Sequence, residues 1–372
     1  MPECSSPRIE PGYQLACWIV LFLALLLAVK FDWVVHSMDL SRFHGPATGD
    51  FLIFRSNTIQ AAGLHIQTQA VPPQLYPPPF LLFTIPFVFL PLGASYYCWI
   101  GIGTILMLLA GASLGLRREA LLLGLASPPF LFCLITGQSG FLVGALLLTA
   151  FGFAGRNALF AGLAAGALII KPQFALLLPV CFLACRDYKA FLIATLTVVG
   201  LSLISLACFG LHPWQEYWAA HGANMHDMLT PRWLTKFQIM MVTPFIMVRS
   251  LHIGLGVASI IQGLVTLGAI YAIWWLWRRE ARSPWPRLAA SICLAALATP
   301  YGYIHDLPAL GFAVAAYSCF QPRRGLPALA LLYGFTSVYA VISIYFMSTG
   351  ALFLALLLWM CWPRQMTPEA MV

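Results

Sequence analysis

Four ionisable residues stand at the ends of long apolar runs, where charge is costly and therefore points to function. They are Asp50, Lys171 and the adjacent pair His305 and Asp306. A carboxylate such as Asp50 can take a proton from a reacting hydroxyl. Lysine can meet an anionic group as a point charge, and histidine can do so when it is protonated. These residue types predict a site for proton transfer and anion binding.

Each of these residues also has a purely structural interpretation. Asp50 could cap a short helix that opens after Gly49. Lys171 could end a helix by reaching a lipid headgroup, and Asp306 could cap a helix that begins at Pro308. Asp39 is a reserve candidate for the carboxylate role.

The composition decides which kind of element must position these residues. The chain has 372 residues, of which 61% are hydrophobic and 9% are charged, and its mean hydropathy is +0.85. Ordinary globular domains carry about 25% charged residues, so a soluble enzyme is excluded. Three stretches contain no Asp, Glu, Lys or Arg: Ala190–Leu211, Gly254–Trp277 and Gly325–Trp362. We therefore predict an all-α polytopic transmembrane helical bundle of about 12 spans, forming one membrane domain over residues 1–372.

The charge pattern predicts lipid partners rather than nucleic acid. The net charge is +8, but the basic residues punctuate the apolar runs and do not form a groove-sized patch, as the positive-inside rule expects of cytoplasmic loops. The ten cysteines include no CxxC pair. His221, His226 and Asp227 match no standard zinc spacing, so we expect neither a metal nor another cofactor.

The basic clusters also orient the chain. We place the N-terminus in the cytoplasm and a first span at Tyr13–Val35; the absence of a small-residue cleavage site favours this span over a signal peptide. A loop over 36–79 follows, with short helices on the outer membrane surface, and His212–Lys236 forms a second outer loop. Turns are expected at 137–140, 171–172 and 301–306 and near Gly350.

One segment leaves two topologies open, because 80–116 is too long for one plain helix and too short for three. Either Phe80–Pro91 does not cross the membrane, or Arg117 and Arg118 lie outside. The remaining segments cross an even number of times. This topology puts Asp50, Lys171, His305 and Asp306 near the outer face.

Motifs that lie around these residues resemble a known family. In order they are Gly49-Asp50-Phe51-x-x-Phe54, Tyr76-Pro77-Pro78-Pro79, Gly137-Gln138, Gly162 to Gly166 followed by Lys171-Pro172, and Pro300-Tyr301-x-x-x-His305-Asp306. Over about residues 13–320 the chain resembles the GT-C membrane glycosyltransferases, and most of all glycosyltransferase family 87, which includes polyprenyl-phosphate-mannose-dependent mannosyltransferases. It departs from the family pattern at Gly140, where Asn is frequent, and at His305, where Tyr or a second His is frequent.

The resemblance implies transfer of a hexosyl residue, specifically a mannosyl residue, from a polyprenyl phosphate donor to a lipid or glycan acceptor. It also implies that the transfer inverts the anomeric centre and needs no metal. Phosphate is a competent leaving group without protonation by a general acid, so one carboxylate suffices where glycosidases need two. Asp50 would be the catalytic base and Lys171 would meet the donor phosphate. The resemblance also points to five residues at the donor phosphate or sugar: His305, Asp306, Tyr76, Gln138 and Tyr301. Gln138 could instead form a hydrogen bond within the bundle.

Two other classes of membrane protein remain as alternatives. One is a lipid or solute transporter or flippase, but the chain has no repeated half. The other is an O-antigen-type polymerase or ligase, which usually has its large outer loop late in the chain. The preferred interpretation places the protein in the cell (inner) membrane as a multi-pass enzyme, with its active site facing the periplasm or the exterior.

Overall fold

The computed structural model describes residues 49–66, 76–231, 238–279 and 283–363. These residues form α-helices and short 3-10 turns without any β-strand, and a lone antiparallel bridge joins Met241 and Tyr303. The prediction of an all-α fold is therefore confirmed. The proposed first span Tyr13–Val35 and the reserve carboxylate Asp39 lie outside the described residues.

The helices follow one another closely along the described chain. In order they are α1 Gly49–Ala61, α2 Pro79–Val88, α3 Leu92–Ser113, α4 Arg118–Leu125, α5 Pro128–Thr136, α6 Gly140–Phe153, α7 Ala158–Ala167, α8 Leu178–Ala184, α9 Tyr188–Phe209, α10 His212–Leu229, α11 Pro244–Ser250, α12 Leu255–Trp277, α13 Pro284–Ala298, α14 Pro308–Phe320, α15 Pro322–Tyr345 and α16 Gly350–Cys361.

Three of these helices are long and apolar enough to cross a membrane. They are α3, α9 and α12, with 22, 22 and 23 residues. Helices α4 and α5 bend by 52° at a short break and together form a broken span or a re-entrant loop. Several other apolar helices are shorter than the roughly 20 residues of a straight crossing. The expected number of about 12 spans is therefore not confirmed.

The outer surface of α9 is apolar and suited to contact with lipid. Leu192, Leu196 and Leu203 lie on this helix with about 60% of each side chain exposed, at 58%, 61% and 60%. Contiguous exposed apolar surface of this kind is a liability in water. In a bilayer the same leucines contact acyl chains, so the fold is that of a membrane protein.

The centre of the bundle is the hairpin of α13 and α14. Nearly every residue of both helices is buried. Helix α13 packs against α12 and α16, and α14 packs against α4, α6 and α15. The turn between them, residues 299–307, therefore lies among several helices, and it carries His305 and Asp306.

Small residues bring α7 and α9 into close contact. A methyl group on Gly166 would lie 2.6 Å from the carbonyl oxygen of Ala194 and 2.4 Å from Cβ of Thr197. One on Gly162 would lie 2.7 Å from the carbonyl oxygen of Ala190. This spacing of two glycines four residues apart is the small-residue pattern by which membrane helices approach one another. The packing fixes the helix that leads into Lys171.

The expected turns coincide with breaks between helices. Gly137 ends α5 with a left-handed φ of 64°, which glycine adopts without strain. The break at Lys171 separates two 3-10 turns, and Gly350 begins α16. In the undecided segment, α2 has 10 residues and spans about 15 Å. It is too short to cross, which agrees with the first of the two alternatives.

Two segments differ from the expected loops. The second outer loop is helical over His212–Leu229, beginning with Pro213 in its first turn, a position that suits proline. Helix α1 is present in the first loop, but its buried Phe51 and Phe54 pack against α2 and α3 rather than lying free on the membrane surface. Helix α1 packs in the bundle because the free energy of burying these aromatic rings is more favourable than that of leaving them at the membrane interface.

The contact between α7 and α9 can be tested by adding one methyl group. We expect Gly166→Ala to lower the unfolding midpoint of the detergent-solubilised protein, corresponding to about 1–3 kcal/mol, because the neighbouring backbone must move. Thermal unfolding can be followed by the reactivity of buried thiols such as Cys133, Cys181 and Cys293. Gly200→Ala on α9 is the matched control, since a methyl group there meets nothing within 4 Å. Equal midpoints for both variants would contradict the proposed contact.

Candidate active site

Asp50 and Gln138 form the first pair of the site. Asp50 lies in the first turn of α1, and Gln138 follows the left-handed Gly137 in the turn between α5 and α6. The Nε2 amide of Gln138 donates a hydrogen bond to Oδ2 of Asp50. The backbone of Gln138 is held in turn by Cys133, whose Sγ donates to the Gln138 carbonyl at 3.1 Å.

Lys171 and Asp306 form the second pair, 135 residues apart in the chain. The Nζ of Lys171 lies 2.5 Å from Oδ1 of Asp306, and the two side chains are only 6% and 1% exposed. Pro172 disfavours helical backbone at the residue before it, and Lys171 accordingly has φ −142° and ψ 73°. The break turns the lysine out of the helix path and toward Asp306.

The turn over 299–307 holds Asp306 in place. The backbone N–H of Tyr303 donates to Oδ2 of Asp306 at 3.2 Å. The turn is tied to the segment before α11, because the N–H of Val242 donates to the Gly302 carbonyl at 3.0 Å and the Thr243 hydroxyl donates to the Pro300 carbonyl at 3.1 Å. Both carboxylate oxygens of Asp306 are thus engaged, which leaves Asp50 as the better placed carboxylate for proton transfer.

Tyr76 connects the two pairs. Its hydroxyl lies 3.4 Å from Oγ of Ser139, the neighbour of Gln138, and its ring centroid lies 5.4 Å from Nζ of Lys171. The ring stacks on Phe80 at 4.4 Å and meets Phe54 edge-on at 5.0 Å. Asp50, Gln138, Tyr76, Lys171 and Asp306 therefore form one continuous cluster.

A second aromatic group borders the cluster on the side of Asp306. Tyr301 and Tyr303 pack edge-to-face at 5.1 Å, Tyr303 stacks on the His305 ring at 4.9 Å, and His305 stacks on Phe132 at 6.0 Å. Tyr303 and Phe132 were not singled out from the sequence. The alternation of Tyr301, Tyr303 and His305 was the available signal for Tyr303, while nothing in the sequence marks Phe132.

The electrostatics of the cluster follow from burial. In the first loop, burial raises the pKa of the Asp50 carboxyl to about 6, and the positive charge of Lys171 acts in the opposite direction. In the turn between α13 and α14, burial lowers the pKa of His305 to about 4. His305 is therefore neutral at pH 7, which disfavours the charged form that could bind a phosphate. Over the part of the chain that the structure describes, no three His, Cys, Asp or Glu side chains are grouped to hold a metal ion.

Gly140 allows the turn to lie against α6. A Cβ at this position would lie 1.7 Å from the carbonyl oxygen of His305. Any side chain here would push the turn, and with it Asp306, away from α6 and from Lys171. The departure from the family pattern at this position is therefore matched by an unusually close backbone contact.

The described residues thus define a helical membrane protein with a polar cluster buried at its helix breaks. The family model of glycosyltransferase family 87 matches residues 75–300, which is more than half of the chain. The chain belongs to this family and is a membrane glycosyltransferase. Searches among curated proteins and among solved structures found no match.

The matched range covers only part of the cluster. Tyr76, Gln138 and Lys171 lie inside 75–300, whereas Asp50, His305 and Asp306 lie outside it, as does Tyr301. The placement of those outer residues beside the matched ones is a result of the fold and independent of the family match.

The buried ion pair can be tested through its effect on stability. We expect Lys171→Met to destabilise the protein by about 3–5 kcal/mol, because Asp306 is left buried without a partner charge. The double variant Lys171→Met/Asp306→Asn removes both charges and should recover most of the loss. Thermal unfolding in detergent measures both effects, with Lys189→Met at an exposed lysine as the control. A double variant no more stable than Lys171→Met would contradict the pairing.

Proposed function

We propose that the chain transfers a hexosyl residue, most simply mannosyl, from a polyprenyl phosphate to a lipid or glycan acceptor. The observation that carries this proposal is the proximity of Asp50 to Lys171 in one largely buried cluster that also contains Gln138, Tyr76 and Asp306. Such a cluster supplies a proton acceptor on one side and a positive charge on the other. The first accepts the proton of the attacking hydroxyl, and the second stabilises the charge of the leaving phosphate.

Asp50 acts as the base of the reaction. Its carboxylate takes the proton of the acceptor hydroxyl as the hydroxyl oxygen forms a bond to the anomeric carbon. The bond between that carbon and the phosphate oxygen breaks, and the polyprenyl phosphate leaves with the electron pair. Attack opposite the leaving group inverts the anomeric centre. Gln138 orients the carboxylate through its hydrogen bond to Oδ2.

Lys171 stabilises the charge that develops on the leaving phosphate. An ammonium group has three N–H donors, and Asp306 accepts one of them at 2.5 Å. Asp306 thus sets the position of Nζ before the donor binds, so little reorganisation is needed during the reaction. Charge stabilisation of this type is worth about 10²–10³ in rate in other enzymes.

The aromatic residues and His305 surround the sugar. The hydroxyl of Tyr76 lies near Ser139 and can form a hydrogen bond with the sugar. The ring of Tyr301 lies close enough to Lys171 to interact with its charge, and sugar rings pack on aromatic faces of this kind. His305, neutral at pH 7, hydrogen-bonds to the sugar or the phosphate. The cluster faces the periplasm or the cell exterior of the inner membrane, and the donor lipid enters sideways from the bilayer.

A transfer assay in membranes tests the proposal. We expect membranes that contain the protein to transfer label from polyprenyl-phosphate-mannose to an added lipid or glycan acceptor. Asp50→Asn should insert normally and lose at least about 10²-fold in rate, as expected when a general base is removed. Label that moves intact across sealed vesicles without transfer would contradict the proposal and favour a transporter, whereas chain growth from a lipid-linked oligosaccharide would favour a polymerase.

The role of Lys171 has its own test in the same assay. Lys171→Arg keeps the charge and should retain more activity than Lys171→Met. The double variant Lys171→Met/Asp306→Asn separates chemistry from folding, because it should be folded and yet inactive. Wild-type transfer by that double variant would remove Lys171 from the reaction.

The pKa of Asp50 predicts the pH dependence of transfer. The raised value of about 6 means that the carboxylate is the minor form below that pH. Initial rates should therefore fall about tenfold for each pH unit below 6 and level off above about 7. Rates measured from pH 4.5 to 8 with saturating donor check this. A profile that stays flat down to pH 5 would contradict the assignment of Asp50 as the base.

A further inference from the structure

An open pocket lies at the far ends of the helices that reach the candidate active site. Helix α6 begins at Gly140, against the turn with His305, and its residue Gly152 lines the pocket. Twelve residues of helix correspond to about 18 Å. Helix α13 also connects the pocket with the candidate active site. Its first residue, Pro284, lines the pocket, and the turn that carries His305 and Asp306 follows its last residue, Ala298. The pocket is therefore separate from the cluster around Asp50.

The pocket combines two arginines with tryptophan and leucine side chains. It is a shallow surface pocket lined by Arg156, Arg287, Trp277, Trp285, Leu114 and Leu288, among others. The guanidinium of Arg287 lies over the Trp277 ring, 4.1 Å from its centroid. This stacking holds the guanidinium plane in place while the N–H groups at its edge remain outside the contact with the ring.

The positive charge of the pocket has no partner among the described residues. Within residues 49–66, 76–231, 238–279 and 283–363, the ion pairs are Lys171–Asp306 and His212–Glu216. The acidic residue that faces this region is Asp187, and its two oxygens accept from the backbone N–H groups of Gly155 and Ala190. Asp187 therefore serves as a helix cap, and neither Arg156 nor Arg287 forms an ion pair with it.

A buried hydroxyl beside the pocket also lacks a partner. Ser283 is the N-cap residue of α13, immediately before Pro284, and is 8% exposed. Its Oγ has no hydrogen-bond partner among the described residues. A buried hydroxyl left without a partner costs free energy, so an additional acceptor at this end of α13 would stabilise the protein.

We propose that this pocket binds the phosphate of an anionic phospholipid headgroup. Arginine forks bind phosphate with two parallel hydrogen bonds, and the guanidinium groups of Arg156 and Arg287 have no carboxylate partner within the part of the chain that the structure describes. Indole rings suit the glycerol and ester level of a bilayer, and Leu114 and Leu288 provide apolar surface for the first part of an acyl chain. Basic pockets between membrane helices bind anionic headgroups in this way.

Lipid titration of the purified full-length protein in detergent tests this site. We expect phosphatidylglycerol to raise the thermal unfolding midpoint, whereas phosphatidylcholine and inorganic phosphate should not. Arg156→Gln, at an exposed position, should weaken the apparent affinity for phosphatidylglycerol by about tenfold, the loss of one charged hydrogen-bonded contact. Arg287→Gln should do the same, and Arg287→Lys should fall between it and the wild type.

Two control variants make the result specific. Arg278→Gln changes an exposed arginine that stacks on Trp274 at the end of α12 and does not line the pocket, and it should leave the lipid effect unchanged. Asp50→Asn should also keep it, which separates this site from the transfer reaction. Equal stabilisation by phosphatidylcholine, equal stabilisation by inorganic phosphate, or undiminished affinity in Arg156→Gln/Arg287→Gln would each overturn the proposal.

Discussion

The buried ion pair between Lys171 and Asp306 is the interaction on which the site depends. It connects the break after α7 with the turn between α13 and α14, 135 residues apart in the chain. A buried lysine or aspartate alone would be strongly destabilising, and together they are tolerated only when the remaining polar atoms are also satisfied. The N–H of Tyr303 and the ring of Tyr76 meet that requirement on the two sides. Moving either segment would leave both charges buried without a partner and would lower the stability of the protein. The ion pair therefore holds the two segments together.

Polar side chains gather at helix breaks because only there can a membrane protein place irregular backbone and charge together. In the bilayer every backbone group needs a partner within the protein. At the turn after α13 those partners come from Val242 and Thr243, and at the turn before α6 they come from Cys133. The long regular helices, such as α9, carry apolar side chains instead and face lipid. The division between site and scaffold is thus a division between broken and unbroken helices.

The sequence predicted much of this arrangement, because helix breaks leave marks in it. Gly137, Pro172 and Gly350 mark turns through the backbone conformations that they allow or exclude, and all three stand at breaks between helices. Ionisable residues in apolar surroundings are few, so Asp50 and Lys171 could be identified without a structure. Their pairing with Gln138 and Asp306 could not be predicted, since periodicity gives the face of a helix and not the helix that packs on it. The number of spans is not confirmed for a related reason: short apolar helices that bend or stop within the bundle have the composition of spans without their length.

The lack of a side chain at Gly140 determines how closely the turn between α13 and α14 approaches α6. The family pattern often has Asn at this position, whose amide would project toward the turn between α13 and α14. In this chain the carbonyl oxygen of His305 occupies that space, 1.7 Å from where a Cβ would stand. The absence of a side chain at Gly140 therefore allows the turn that carries Asp306 to lie directly against α6. The Oε1 of Gln138, two residues before Gly140, is buried without a partner among the described residues. The lack of a side chain at this one position thus decides which atoms of the turn and of α6 come into contact.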